Sequence, residues 1–171
     1  NQTASDYTFG AYWRLKGDAL RAWAHVGVGY DHFHTIREVL NTYVTHVSRA
    51  DWSGYSTSAG TGVSYRYNLS PAFTMTPQWL VDYYGLNEAH HSETGGGDYF
   101  DLTVARRDGH LLSSTALVNF GYAQSFVKRE VWVGYKQNVA ATIGDTTANF
   151  LGGDAFTLTG GNIKGGGPVV G

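Results

Sequence analysis

The chain has 171 residues, with 12 Lys and Arg against 14 Asp and Glu (formal net charge -2), 23 Gly, 12 Tyr, 5 Trp and no Cys. Lack of cysteine excludes a disulfide scaffold and thiol chemistry and is compatible with an oxidising periplasmic route, and the near-even charge balance argues against nucleic acid as a partner. No window approaches the roughly 18 consecutive apolar residues of a membrane-spanning helix, yet aromatics make up 15% of the chain and charged residues only 15%, so membrane crossing by strands stays open.

Taken in order, the chain is a succession of period-two segments separated by turn chemistry. Residues 6–15 set Phe9, Ala11, Trp13 and Leu15 against Thr8, Gly10, Tyr12 and Arg14, and Gly17-Asp18 reads as a tight turn. Residues 20–30 follow with Leu20, Ala22, Ala24, Val26, Val28 and Tyr30 opposite Arg21, Trp23, His25, Gly27 and Gly29. Residues 31–50 lose the alternation and gain His32, His34, Arg37, Glu38, Asn41, His46 and Arg49, which predicts a long exposed loop. A helical alternative covers 35–47, where Ile36, Val39, Leu40, Tyr43, Val44 and Val47 recur near helical spacing behind a Thr35/Glu38 capping box. The clearest hairpin spans 59–84. Ala59, Val63, Tyr65 and Tyr67 oppose Gly60, Gly62, Ser64 and Arg66; beyond a Ser70-Pro71 turn, Phe73, Met75, Trp79, Val81 and Tyr83 oppose Thr74, Thr76, Gln78 and Asp82.

Residues 87–98, polar and triple-glycine, read as a second exposed loop. Strands at 99–107 and 111–122 flank Asp108-Gly109, a two-residue hairpin signal. Residues 130–136 place Val131, Val133 and Tyr135 on one face, the stretch 138–153 is again long, and 155–159 is a weaker strand before a glycine-rich end. Short turns thus alternate with long connections, as in outer-membrane barrels. The expectation is a single all-β domain over 1–171, an antiparallel up-and-down transmembrane β-barrel built as a meander.

One face of this pattern mixes glycine, hydroxyls and lone charges, whereas the other is crowded with aromatics. That suits a barrel with lipid outside and water or protein inside. The inward set is Arg14, Lys16, Arg21, His25, Arg66, Gln78, Asp82 and Lys136; a one-residue slip would turn its charges to lipid, at about 2 to 4 kcal/mol for each Arg or Lys near midplane. Trp13, Tyr30, Tyr65, Tyr67, Trp79 and Tyr83 are the expected membrane-interface aromatics. A solvated wall that holds nothing, and a soluble β-sandwich carrying these tyrosines, are the plainer readings of the same residues.

Catalytic chemistry is thinly represented. His32/His34 and His90/His91 are the pairs that could be offered as metal ligands, but His32/His34 falls in an expected loop with no Cys and no clear acidic partner set, and exposed loop histidines are the plainer reading; no Gly-x-Ser-x-Gly elbow appears, and His110 beside Ser113 and Ser114 is the one close nucleophile-base pairing. Gly95 to Gly97 and Gly165 to Gly167 lack the strand, helix and Lys context of a phosphate loop. No catalytic residue, metal or cofactor is expected.

Three segments carry a family likeness: LRAWAHVGVGYDHF at 20–33, GVSYRYNLSPAFTMTPQWLVDYYGLN at 62–87 and VKREVWVGYKQNV at 127–139. In order and spacing they resemble the translocator β-domain of Gram-negative autotransporters, the barrel of type V secretion. The resemblance implies a 12-stranded outer-membrane barrel that anchors and translocates a covalently linked passenger, is inserted by the outer-membrane insertion machinery and is surrounded by lipid. This chain supplies about eight to nine strands by the pattern and stops at Gly171, where family members end on an aromatic residue, so it looks like an internal part of such a barrel. The start shows no secretory leader, either removed or preceded by more chain. The alternative is a small self-contained outer-membrane barrel acting as porin, adhesin or lipid-modifying enzyme.

Overall fold

The computed structural model describes residues 1–40, 45–97, 99–124, 126–150 and 152–171, and every regular element among them is a β-strand. In chain order these are β1 (Gln2–Lys16), β2 (Leu20–Leu40), β3 (Thr45–Tyr65), β4 (Tyr67–Asn68), β5 (Phe73–Glu88), β6 (His91–Ser92), β7 (Leu102–Val104), β8 (Arg107–Gln124), β9 (Val127–Ile143), β10 (Thr146–Phe150), β11 (Phe156–Leu158) and β12 (Gly165–Val170). The main sheet runs β1-β2-β3-β5-β8-β9-β12, with β4 continuing β3 against β5, and each long strand pairs antiparallel with its neighbour in sequence. This is the expected meander. The sheet is open, since β1 and β12 do not pair, as an incomplete barrel would be. A second sheet, β11-β10-β7-β6, is built entirely from the long connections.

Two of the expected tight turns form. Gly17 N–H donates to the Leu20 carbonyl (2.9 Å). At 69–73, Leu69 and Ser70 N–H donate to the Phe73 carbonyl (2.9 and 3.2 Å), while the Ser70 hydroxyl accepts from Ala72 and Phe73 N–H (3.2 and 3.1 Å).

Three expectations are corrected. Asp108-Gly109 is not a hairpin: β8 runs straight through it, pairing Asp108 with Asn87 and Gly109 with Leu86 on β5. A type I′ turn needs positive φ at both central residues, and Gly109 is not among the positive-φ glycines. The expected strand at 99–107 is therefore only the three-residue β7, placed in the second sheet. Nor are residues 31–50 an exposed loop or a helix. β2 and β3 continue in unbroken register to Leu40↔Thr45, so 35–40 and 45–47 are strand, and 41–44 lie outside the described residues. Alternation is blurred there because both faces carry polar groups, which removes the contrast a period-two reading needs.

Side chains on the two faces of the main sheet follow from register, because directly opposed residues in an antiparallel pair project to the same side. Phe9, Trp13, Val26, Val28, Tyr55, Val63, Trp79, Val131 and Val133 lie on one face, all exposed; Phe9 is 81% and Val26 59% accessible. Apolar surface on this scale is anomalous facing water. Burial concentrates instead at the long-connection end, where Ser48, Ala50, Trp52, Glu88 and Glu93 are enclosed.

Candidate functional site

The polar face is a wall that crosses every long strand. One row reads Tyr12, His25, Gly60, Asp82, Ser113, Asn138 and ends near Gly165 on β12. Toward the short turns another reads Lys16, Arg21, Ser64, Gln78 and Leu117, with Arg14 opposite Trp23 and Lys136 opposite Thr115. Arg66 lies outside the ladder, donating its N–H to the Ala19 carbonyl (2.9 Å), and lines a hollow with Arg21, Ser64 and Gln78. All eight expected wall residues therefore gather on one side of the sheet. Arg14, Lys16, Arg21, Arg66, Asp82 and Lys136 form no ion pair among the described residues.

Glycine makes room on this wall. The Trp23 and His25 rings stack (5.6 Å, 8°) over Gly62 and Gly60. A Cβ added at Gly62 would sit 2.5 Å from Trp23 Nε1, and one at Gly60 would sit 2.8 Å from Asp82 Oδ1. Farther up, Thr8, Gly27, Gly29, Ser56, Tyr84 and Leu111 border an open cavity of about 540 Å³ on the same side. Small residues on β2 and β3 are the cause: they leave the wall without side chains to fill it.

On the other face, Trp13, Tyr65, Tyr67 and Trp79 sit toward the short turns, and Trp79 Nε1 donates to Ser114 Oγ (2.9 Å). Tyr65 and Tyr67 pack together at 4.7 Å. Tyr30 lies farther up, opposite Tyr7 and edge-on to Tyr55 (5.6 Å), with Tyr83 between the two levels opposite Ala59.

Beyond the wall, the connection from β5 to β8 folds back over the polar face of β2 and β3, an arrangement that sequence reasoning missed. Arg37 Nε donates to Glu93 Oε1 (3.0 Å), and its Nη2 reaches Glu93 and the Phe100 carbonyl. Glu93 also accepts the Leu102 N–H (3.0 Å). The Trp52 ring stacks on Phe33 (5.2 Å) and on His91 (3.9 Å) and donates its Nε1–H to Glu88 (3.1 Å), which Arg107 pairs at 2.8 Å. His46 stacks on Phe100 at 4.2 Å. Hydrogen bonding to Glu93 raises the Arg37 pKa against the opposing effect of burial. Burial pushes His91 below the ordinary histidine value, and Arg107 adds to the effect. Asp101 is held below the usual carboxylate value: burial opposes its charge, but the Ser48 hydroxyl, the Gly96 and Gly97 amides and Arg37 outweigh it. Local pattern gave no sign of this network, because its partners come from β2, β3 and a connection 39 or more residues on. Trp52, isolated among Ser, Asp and Gly, was the one available hint.

The catalytic candidates do not assemble. His110 and Ser113 lie on opposite faces of β8, and the Ser114 hydroxyl is engaged by Trp79. His32 and His34 both approach Asp51 Oδ1 (3.7 and 2.9 Å) on the apolar side, but no group of three or more His, Asp or Glu suited to a metal occurs among the described residues. Gly95 and Gly97 have positive φ and serve a turn whose amides cap Asp101. Compared with known proteins, residues 1–171, the whole chain, match the family model described as autotransporter beta-domain. No curated protein matches.

Proposed function

The chain belongs to the autotransporter β-domain family, translocators of the Gram-negative outer membrane whose members carry an attached passenger and depend on the outer-membrane insertion machinery, and on that premise we propose that it anchors and translocates a passenger domain to the cell surface. The apolar face meets lipid and the polar wall lines the path of the polypeptide. One observation carries this reading: a single register sends Arg14, Lys16, Arg21, Asp82 and Lys136 to one side of the sheet and Phe9, Trp13, Val26, Val28, Val63, Trp79, Val131 and Val133, all exposed, to the other. Charges of both signs spread along different strands bind no single ligand tightly, which suits a segment in transit. The aromatics Trp13, Tyr65, Tyr67 and Trp79 mark one interface and Tyr30 the other, with Tyr83 between the two levels. The chain performs no chemistry of its own in this role; His110 and Ser113 on opposite faces support that.

The test is surface display by the complete parent gene, read with a protease-accessible tag on the upstream domain, with and without this segment, alongside an esterase and deacylase assay on the purified barrel. Display that depends on the segment is the expected result. Turnover abolished by Ser113→Ala with display unaffected would overturn it.

A further inference from the structure

Charge on the polar wall is divided by height. Arg14 and Lys136 fall in one row of the sheet, and Lys16 and Arg21 stand directly opposite each other in the next row toward the short turns. Lys128 lies on the same face beside the β8–β9 connection. Arg66 joins them, bordering one hollow with Arg21 and a second, of about 670 Å³, with Lys128. All six cations are exposed. Two carboxylates accompany them at this end, Glu130 beside both hollows and Asp18 in the β1–β2 turn. None of these groups forms an ion pair among the described residues.

From the Asp82 row to the long-connection end the balance reverses. Asp82, Asp6 and Asp31 face the wall there without an ionic partner, whereas the two arginines in those rows, Arg37 and Arg107, are held by Glu93 and Glu88. The chain as a whole is net negative, so the cationic end is a matter of placement and not of composition. Its charges also act together. Lys16 and Arg21 are directly opposed across the pair, and Arg14, two residues from Lys16, is about 7 Å away along the strand. Both spacings lie within the Debye length of about 8 Å at physiological salt, so the fields add before they are screened.

We propose that the short-turn mouth, the periplasmic one in barrels of this kind, is an electrostatic dock for an acidic stretch of the passenger polypeptide. The inference rests on the translocation reading and adds to it the sign of the segment that the entrance favours. Charge complementarity selects the occupant. The guanidinium forks of Arg21 and Arg66 match carboxylates, and Ser64, Gln78 and Asn119 line the same hollow with further hydrogen-bonding groups. A single exposed ion pair contributes little, but a cleft lined by one sign of charge raises capture rates by about 10- to 1000-fold. Asp82 and the Asp6/Asp31 row beyond repel the same stretch. Capture is thereby confined to the entrance, and the segment stays free to move on.

The experiment inserts a short Glu/Ser, Gln/Ser or Lys/Ser stretch immediately before the barrel in the complete parent gene and follows surface appearance of the upstream domain by pulse-chase. Heat-modifiable migration confirms that each barrel has assembled. With the wild-type barrel the Glu stretch appears fastest and the Lys stretch slowest, a spread of about tenfold or more. Combining Lys16→Glu, Arg21→Glu and Arg66→Glu reverses that order. Arg66→Gln alone, which removes one charge and introduces none, narrows the spread and keeps the test open if the triple variant does not assemble. Equal rates for the three stretches, a wild-type order led by Lys, or a spread unchanged in Arg66→Gln would overturn the dock while leaving the translocation reading intact. An assembled triple variant that displays nothing whatever the stretch would also overturn it, since the cations would then serve some other contact. Display that does not need this segment at all would instead remove the translocation reading, and the dock with it.

Discussion

Replacing Val26 by Arg tests the orientation of the wall more sharply than any change on the wall itself. Val26 lies on the apolar face of β2, 59% exposed, between Leu20, which pairs with Tyr65, and Tyr30, which pairs with Tyr7 and Tyr55. From Leu20 to Tyr30 the strand advances about 34 Å at roughly 3.4 Å per residue, which a tilt of about 40° reduces to about 26 Å along a barrel axis, close to the ~25 Å apolar band of such proteins. Val26 then sits near the middle of the band. An Arg there costs about 2 to 4 kcal/mol, or about 30- to 700-fold in the unfolding equilibrium at 1.4 kcal/mol per decade. The control is the adjacent residue: His25→Arg adds the same side chain on the polar wall, where it stays hydrated, and the expected cost is below about 1 kcal/mol. Urea unfolding of the barrel in lipid vesicles, followed by heat-modifiable migration and tryptophan fluorescence, measures both. Equal penalties, or a larger one for His25→Arg, would mean that the apolar face does not meet lipid.

Trp52→Ala removes a ring stacked on Phe33 and His91 and a donor to Glu88, so about 3 to 5 kcal/mol of local stability goes with it; hydrogen exchange at residues 89–97 should rise while the middle of β2 stays protected. The same segment should loosen in acid. His91 is held below its ordinary value by burial, so above about pH 6.5 it is neutral folded or unfolded and contributes nothing to pH dependence, whereas below that pH the unfolded segment takes up a proton first and stability falls until the folded-state pKa is passed. Proteolysis of 89–97 at pH 5 and pH 7.5 reads this, and His91→Phe should remove the His91 share of the difference. Gly62→Val drives a side chain into Trp23 and Leu80, an overpacking cost of about 1 to 3 kcal/mol. Trp23→Ala should restore much of it in the double variant, and strict additivity in urea unfolding would refute the contact.

Period-two alternation over residues 6–30 and 59–84 was enough to identify the strands, their faces and the Gly17 and Ser70-Pro71 turns. Each property there depends on neighbours along one strand or across one short hairpin, and a one-residue slip would exchange the two faces entirely. Asp108-Gly109 shows where local chemistry misleads: a dipeptide that favours a turn in isolation was drawn into extended backbone by ladder partners on both β5 and β9. The same limit hid the folded connection. Arg37 with Glu93 and Trp52 with His91 are pairs separated by 56 and 39 residues, and nothing in the spacing of either partner announces the other. What the sequence by itself determined was a strand's periodicity, hence which residues share a face and which face is apolar. Register across strands, and the folding of a long connection onto the wall, were decided only by tertiary structure, because those choices balance burial, ion pairing and hydrogen bonding among segments that meet only once the sheet has formed.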